Sequence, residues 1–197
     1  MPLVVLIGPP GAGKSAVGPL LADRLGVEFR DTDAEVGATA GKPVGDIFIE
    51  NGEEAFRELE RSAATSALGT LRERGGVLAL GSGAVLDAGI QALLEGLPDR
   101  GGLPGGSGGM ESPRGAAEPS PRASTVVYLS ADFGTVAHRI GLDRPRVVIP
   151  GNPRGRLRAM LDERDAIYQR LAALTVPTDD LDPAELAAHI AAEITTT

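Results

Sequence analysis

Eight residues near the start of this 197-residue chain, Gly8-Pro9-Pro10-Gly11-Ala12-Gly13-Lys14-Ser15, have the types and spacing to do chemistry on phosphate. They match the pattern G-x-x-x-x-G-K-[ST], in which glycines let successive backbone N–H groups turn toward one anion at a helix N-terminus. Lys14 can then reach the β- and γ-phosphates of a nucleoside triphosphate, and the Ser15 hydroxyl can ligate Mg2+. Gly11, Ala12, Gly13, Lys14, Ser15 and Ala16 are the expected ATP-binding residues. The competing explanation is a chance match in a chain with 27 glycines. Four fixed positions, with a strand-like run before them and a helical one after, outweigh it.

A phosphate site does not name an acceptor. Asp31-Thr32-Asp33 follows the second strand-like segment, and in a doubly wound sheet the strand C-termini share one rim. Two carboxylates there can divide the work, one supporting a magnesium shell and the other accepting the proton of a substrate hydroxyl. The same tripeptide also reads as a helix N-cap followed by a first-turn acid, and spacing alone does not choose between the two. Gly81-Ser82-Gly83 ends the third strand at that rim, where small residues either admit a ligand to the backbone or simply make a tight turn. Arg57, Arg144 and Arg164, taken singly, are ordinary solvated arginines. Lys14 and Lys42 are the two lysines among 19 basic residues, so a lysine is the more telling choice in this chain.

Elements that position these residues alternate in type, which points to an α/β fold with a mainly parallel sheet. Leu3–Ile7, Val27–Arg30, Val77–Leu80, Val126–Leu129 and Leu174–Val176 read as strands. Helices are expected from Lys14 to Leu25, Asp33 to Ala40, Val44 to Glu50, Glu53 to Glu73, Asp87 to Glu95, Ala131 to Ile140, about Arg156 to Ala173, and from Pro183 onward. Asn51-Gly52 punctuates the third and fourth of these. Pro19 falls inside the first helix, where a proline can cost about 3 kcal/mol and bend it. The segment Gly96–Ser124 breaks the pattern: eight of its 29 residues are glycine and five proline. It lacks the apolar surface to offset its ordering entropy, so it is expected as a disordered insertion within a single domain spanning 1–197.

Bulk properties exclude several classes of function. A net charge of −8 with no block of basic residues argues against nucleic-acid binding. No apolar run approaches the roughly 18 residues of a membrane span. The chain lacks cysteine, which rules out disulfides and thiolate sites. It enters a strand at Leu3 without a basic n-region or a small-residue cleavage site, and a cytoplasmic protein is expected.

Together these residues resemble the bacterial shikimate kinases, a branch of the nucleoside monophosphate kinase-like P-loop family. The resemblance covers nearly the whole chain outside Gly96–Ser124. It rests on the order and spacing of Gly8–Ser15, Asp31-Thr32-Asp33, Asp46-Ile47-Phe48 leading to Gly52-Glu53 and Phe56-Arg57, then Gly81-Ser82-Gly83-Ala84-Val85, Arg144-Pro145, and Glu163-Arg164 through Tyr168. It implies a three-layer P-loop fold with a central five-stranded parallel sheet and a mobile lid over 141–156. The implied activity is ATP- and Mg2+-dependent phosphorylation of the shikimate 3-hydroxyl, giving shikimate 3-phosphate and ADP on the route to aromatic amino acids.

Carried onto this chain, the resemblance gives Lys14, Asp33 and Arg144 as catalytic residues. Ser15 would bind Mg2+ directly, with Asp31 behind the water shell. Asp33 would contact the substrate hydroxyls and orient or deprotonate the attacking one. Arg57 and Arg164 would hold the substrate carboxylate, with Gly81, Ser82 and Gly83 beside it. Arg144 would come from the lid to ATP and neutralise the transferring phosphoryl group. Partners are then small molecules, shikimate and ATP, with the chain a monomer that binds neither nucleic acid nor membrane. Departures are Ser82 where the family has a third glycine, Leu181 where an adenine-side arginine is common, and a slightly short lid. Another small-molecule P-loop kinase such as a gluconate kinase, a nucleoside monophosphate kinase, and a non-catalytic nucleotide-binding regulator stand as alternatives.

Overall fold

Five consecutive apolar residues, Leu3–Ile7, form strand β1 and are buried without exception. Only a strand covered on both faces reads this way, and the sheet around β1 explains why. In the computed structural model, which describes residues 1–42, 44–97, 124–143 and 152–196, β1 is the middle of five parallel strands. The others are β2 (Phe29–Asp31), β3 (Gly76–Ala79), β4 (Ser124–Ser130) and β5 (Leu174–Pro177), in the order β2-β3-β1-β4-β5. Leu3 pairs with Gly76 on one side and Ser124 on the other, and Leu6 with Ala79 and Val127.

Alternation along β1 divides the core into two layers. Leu3, Val5 and Ile7 face Ala64, Leu68 and Leu71 of helix α3 (Val44–Arg74), Ile90 and Leu94 of α4 (Ala88–Glu95), and Tyr168 and Leu171 of α6 (Pro153–Leu171). Val4 and Leu6 face Val17 and Leu21 of α1 (Lys14–Leu25) and Leu186, Ile190 and Ile194 of α7 (Pro183–Thr196). Helices α2 (Thr32–Ala40) and α5 (Phe133–Arg139) complete the set. Because all five strands run the same way, the segments after them emerge at one rim. That rim carries Gly8–Gly13, Asp31-Thr32-Asp33 and Gly81-Ser82-Gly83.

The five-stranded α/β fold is as expected, with its boundaries moved. β2 begins at Phe29, not Val27, and ends at Asp31, so the first acid of the tripeptide is still in the strand. β3 is Gly76–Ala79, and the residues after it include a single 3-10 turn, Ala84–Leu86, that the sequence did not announce. α3 is broken at Gly52 (φ 82°, ψ 170°), where Asn51-Gly52 had marked a stop. α1 runs unbroken through Pro19. α5 begins at Phe133 and ends at Arg139, inside the expected 131–140 span.

The expected insertion is too generous at both ends. Leu97 belongs to the core beside α4, and Ser124 is buried and paired with Leu3. The rest of it, 98–123, lies outside the described residues. The expected lid also gives up Pro153–Arg156, which form the first turn of α6 under an Asn152 cap. Residues 144–151, with Arg144, lie outside the described residues. No described helix is long and apolar enough to cross a membrane.

Gly8 links this sheet to the phosphate loop. Its φ is +145°, and a Cβ there would collide with the backbone carbonyl of Leu129 in β4. Neither the conformation nor the space admits a side chain. Gly8→Ala is therefore expected to cost at least about 2 kcal/mol in urea unfolding. A change under about 0.5 kcal/mol would show that the close approach of loop and β4 is dispensable.

Candidate active site

Helix α1, like the short α5, begins without a side-chain cap. The starts of α2, α4, α6 and α7 are capped by side chains, those of Asp31, Asp87, Asn152 and Asp182. α1 has Gly13 at its N-cap, in the left-handed region at φ 97°, with no side-chain cap and no acid in its first turn. Its leading N–H groups and the positive end of its dipole are left for an anion. Gly11 packs against Ile140 and the Arg139 stem, which seats the loop on the end of α5.

Lys14 is 8% exposed, and its ammonium folds back to donate to the carbonyls of Gly8 (2.8 Å) and Pro9 (3.0 Å). Burial lowers its pKa from 10.5 to about 8, against the opposing pull of Asp33, Asp31 and Glu60. The desolvation of the ammonium therefore outweighs three nearby carboxylates. A bound polyphosphate would reverse that balance.

Asp31 caps α2 with one carboxylate oxygen and turns the other toward the start of α1. Its Oδ1 accepts from the N–H groups of Asp33 (2.9 Å) and Ala34 (3.3 Å), which is the helix cap. Its Oδ2 accepts from the Ser15 hydroxyl at 2.5 Å, which joins it to the start of α1. Thr32 is fully buried, and its Oγ1 accepts from the Gly81 N–H at 2.8 Å. This bond fastens the end of β2 to the turn after β3. Asp33, on the open side, has its pKa raised by partial dehydration; the charge of Lys14 opposes the rise, and Asp31 and Glu60 add to it.

The glycines at 81 and 83 are explained by what fills their missing side chains. A Cβ on Gly81 would come within 2.7 Å of both Asp33 Oδ1 and Glu60 Oε1, and one on Gly83 would strike the Arg57 guanidinium. Glu60, 3% exposed and on the same helix as Arg57, takes that guanidinium at 2.6 Å. Glu53 lies on its other side at 3.5 Å. From across the turn, Arg164 donates through Nη1 to the Ser82 carbonyl at 3.0 Å, and the Tyr168 hydroxyl donates to the same oxygen at 2.8 Å. Arg164 is 9% exposed, and its Nε is buried with no hydrogen-bond partner.

The fold thus gathers Lys14, Ser15, Asp31 and Asp33 with Gly81, Ser82, Gly83, Arg57 and Arg164, which are far apart in sequence. Arg144 lies outside the described residues. Thr32, Glu60 and Tyr168 were not singled out from the sequence. For Glu60 there was a signal, its i+3 spacing from Arg57 on a helix. Thr32 and Tyr168 gave none, since their partners are backbone atoms 49 and 86 residues away. Leu181, expected near the adenine, is 40% exposed. A cavity of about 730 Å3 between α2 and α3, lined by Ala40, Lys42, Ile47, Glu54 and Glu58, holds none of the expected site residues.

Comparison with known proteins finds relatives over nearly the whole chain. The family model for shikimate kinase matches residues 10–195. A shikimate kinase of Thermobifida fusca is 47% identical over 193 residues, covering 98% of this chain and 95% of the relative. One from Salinispora arenicola is 43% identical over 191 residues, covering 97% and 96%. Among solved structures, shikimate kinase from Acinetobacter baumannii in complex with shikimate superposes with a TM-score of 0.77 at 29% identity, covering 100% of this chain and 94% of that one. A deoxyadenosine kinase from M. mycoides shares the fold alone, with a TM-score of 0.54 and 14% identity over 100% of both chains.

A lysine with a pKa near 8 makes nucleotide binding a proton-linked event. The burial cost of its charge is present in full below about pH 8 and is relieved as pH rises toward the unfolded value of 10.5. ATP binding is expected to take up protons around and above pH 8, with the share due to Lys14 fading as pH falls below it, because phosphate restores the ammonium. Calorimetry in buffers of different ionisation enthalpy reads this directly, and Lys14→Ala should abolish it. Proton uptake that ignores pH, or that survives in Lys14→Ala, would remove Lys14 from the phosphate contact.

Proposed function

The chain belongs to the shikimate kinase family, and from that premise we propose how its own residues divide the phosphorylation of the shikimate 3-hydroxyl by ATP. It is a phosphotransferase with an alcohol acceptor. The observation that carries the residue assignments is Arg164: a buried cation whose Nε has no partner, on the same rim as an uncapped helix start and a buried lysine. Two buried cations on one rim, Lys14 beside the uncapped start of α1 and Arg164 beside the Ser82 turn, fit a phosphoryl donor and an acidic acceptor.

On the donor side, the N–H groups of Gly11, Ala12, Gly13, Lys14, Ser15 and Ala16 cradle the phosphates, and the Lys14 ammonium leaves the carbonyls of Gly8 and Pro9 to meet them. Ser15 Oγ and Asp31 Oδ2, joined at 2.5 Å, form an all-oxygen pair that suits a hard cation. Ser15 would hold Mg2+ directly and Asp31 through water. When bound, Mg2+ supplies charge neutralisation across the phosphates. Two protein oxygens suffice, because Mg2+ keeps several waters and shares substrate phosphates.

On the acceptor side, Asp33 orients the attacking hydroxyl and accepts its proton. Its raised pKa reflects a carboxylate that is short of water, which makes it a better acceptor than a fully hydrated one. Arg57 and Arg164 flank Gly81-Ser82-Gly83 and hold the carboxylate from two directions. Arg144 is assigned to the transferring phosphoryl group on the family resemblance alone. The chain acts as one kinase domain, with the 98–123 segment an insertion between α4 and β4, which share one core layer. Its partners are small molecules, and it works as a monomer in the cytoplasm.

The two arginines differ in how their charge is already met, and that ranks their variants. Arg57 has the Glu60 carboxylate at 2.6 Å, whereas Arg164 donates to a neutral carbonyl, that of Ser82. Coupled ADP release is expected to require both shikimate and a divalent metal. Arg164→Ala should raise the shikimate KM by roughly 10²-fold or more, and Arg57→Ala by less, with the ATP KM nearly unchanged in both. A carboxamide analogue should be a poor acceptor for the wild type and should lose most of that handicap in Arg164→Ala. If the analogue is equally handicapped in both, Arg164 does not read the carboxylate.

A further inference from the structure

The Ser82 carbonyl accepts two hydrogen bonds, from Arg164 Nη1 at 3.0 Å and from the Tyr168 hydroxyl at 2.8 Å. Both donors come from α6, four residues apart, so they lie on one face of that helix. A carbonyl has two lone pairs, and both are occupied here by the protein itself. What matters is the part of the guanidinium left over. With Nη1 committed to Ser82, the Nη2 donors remain to meet a carboxylate. Nε is the buried nitrogen without a partner.

The aim of those donors depends on where the Ser82 carbonyl points. The following residue is Gly83, and a peptide group leading into glycine turns at little steric cost. Arg164 cannot fix the carbonyl by itself, since a long guanidinium side chain follows its acceptor when the acceptor moves. Tyr168 can. It is 1% exposed in the core, and its ring stacks on Tyr128 with centroids 5.0 Å apart and planes 24° apart. Burial pushes the Tyr168 pKa up to about 12, so the hydroxyl keeps its proton and remains a donor throughout the working pH range.

We propose that Tyr168 is a positioning residue for the acceptor: its hydroxyl holds the Ser82 carbonyl in the orientation that pins Arg164 Nη1 and so sets the direction in which the remaining Nη2 donors meet the substrate carboxylate. The proposal rests on the reading that Arg164 holds that carboxylate. The rival account is a core tyrosine whose hydroxyl has merely found a convenient oxygen. That account predicts a loss of stability and no change in substrate preference.

Tyr168→Phe separates the two, because it keeps the ring, the stack and nearly all the volume. The shikimate KM is expected to rise roughly five- to tenfold, the loss of one well-placed hydrogen bond, with kcat and the ATP KM within about twofold of wild type. The handicap of the carboxamide analogue should shrink in the same variant, since a mis-aimed guanidinium no longer favours a carboxylate. Tyr128→Phe removes the neighbouring hydroxyl of the same stack and should leave the shikimate KM unchanged. An unaltered shikimate KM in Tyr168→Phe overturns the proposal, as do equal rises in the two tyrosine variants or a parallel rise in the ATP KM. Arg164→Ala, measured alongside, keeps the two readings apart. If it abolishes carboxylate preference while Tyr168→Phe is silent, Arg164 stays and Tyr168 goes. If Arg164→Ala also leaves the preference intact, the carboxylate assignment itself is wrong.

Discussion

One buried hydrogen bond, from the Gly81 N–H to Thr32 Oγ1, holds the acceptor half of the site to the donor half. β2 is an edge strand with β3 as its inner neighbour, and their pairing ends with Asp31 opposite Ala79. Leu80 still donates to the Leu6 carbonyl of β1 at 3.0 Å, but no ladder bond between β2 and β3 lies beyond that register. Thr32 supplies the missing connection from a side chain that is itself fully buried, so the bond is shielded from competing water. Asp31 and Asp33 lie immediately either side of it. The first reaches back to Ser15 and the second forward to the Gly81 turn, so a shift at Thr32 would move both carboxylates together.

Around this tie the charges are arranged so that the ligand-free site is under-satisfied. Lys14 is buried among carboxylates and still has its pKa lowered, which means that no neighbouring acid is close enough to repay the loss of water. Arg164 is buried against a neutral carbonyl with one nitrogen unpaired. α1 lacks the side-chain cap that four other helices possess. Each is a cost that a bound anion would offset, two of them at the phosphate loop and one beside the Gly81-Ser82-Gly83 turn. Sites that spend folding stability in this way gain it back as binding energy, because the donors are already dehydrated and aimed when the ligand arrives.

How much of this could be read beforehand follows from the range of each interaction. Gly8–Ser15 was legible because its function lies in a contiguous loop whose flanking strand and helix are also contiguous. The parallel sheet was legible because β1 is apolar at every position. Asp31 looked like a choice between cap and metal-side acid, since a sequence does not show that one carboxylate has two oxygens facing different ways. Glu60 was hidden among many helix acids, and what distinguishes it is burial at 3%, which only packing decides. The limits of the insertion were misplaced for a related reason. Gly96, Leu97 and Ser124 have the composition of the low-complexity segment, yet Leu97 is held by the core and Ser124 by the register of β4 against β1.

The serine at position 82 shows why a departure from the family's run of glycines need not alter the site. Gly81 and Gly83 are constrained by collision: their absent side chains leave the space that Asp33, Glu60 and Arg57 occupy. Position 82 works through its carbonyl oxygen, which any residue possesses, and that oxygen meets Arg164 and Tyr168. A side chain at the middle position leaves that carbonyl in place, whereas one at either outer position would displace the ends of Asp33, Glu60 or Arg57. The turn is best understood as a backbone acceptor suspended between two side-chain clusters, one from α3 and one from α6. The glycines make room for the first cluster, and the carbonyl between them orders the second.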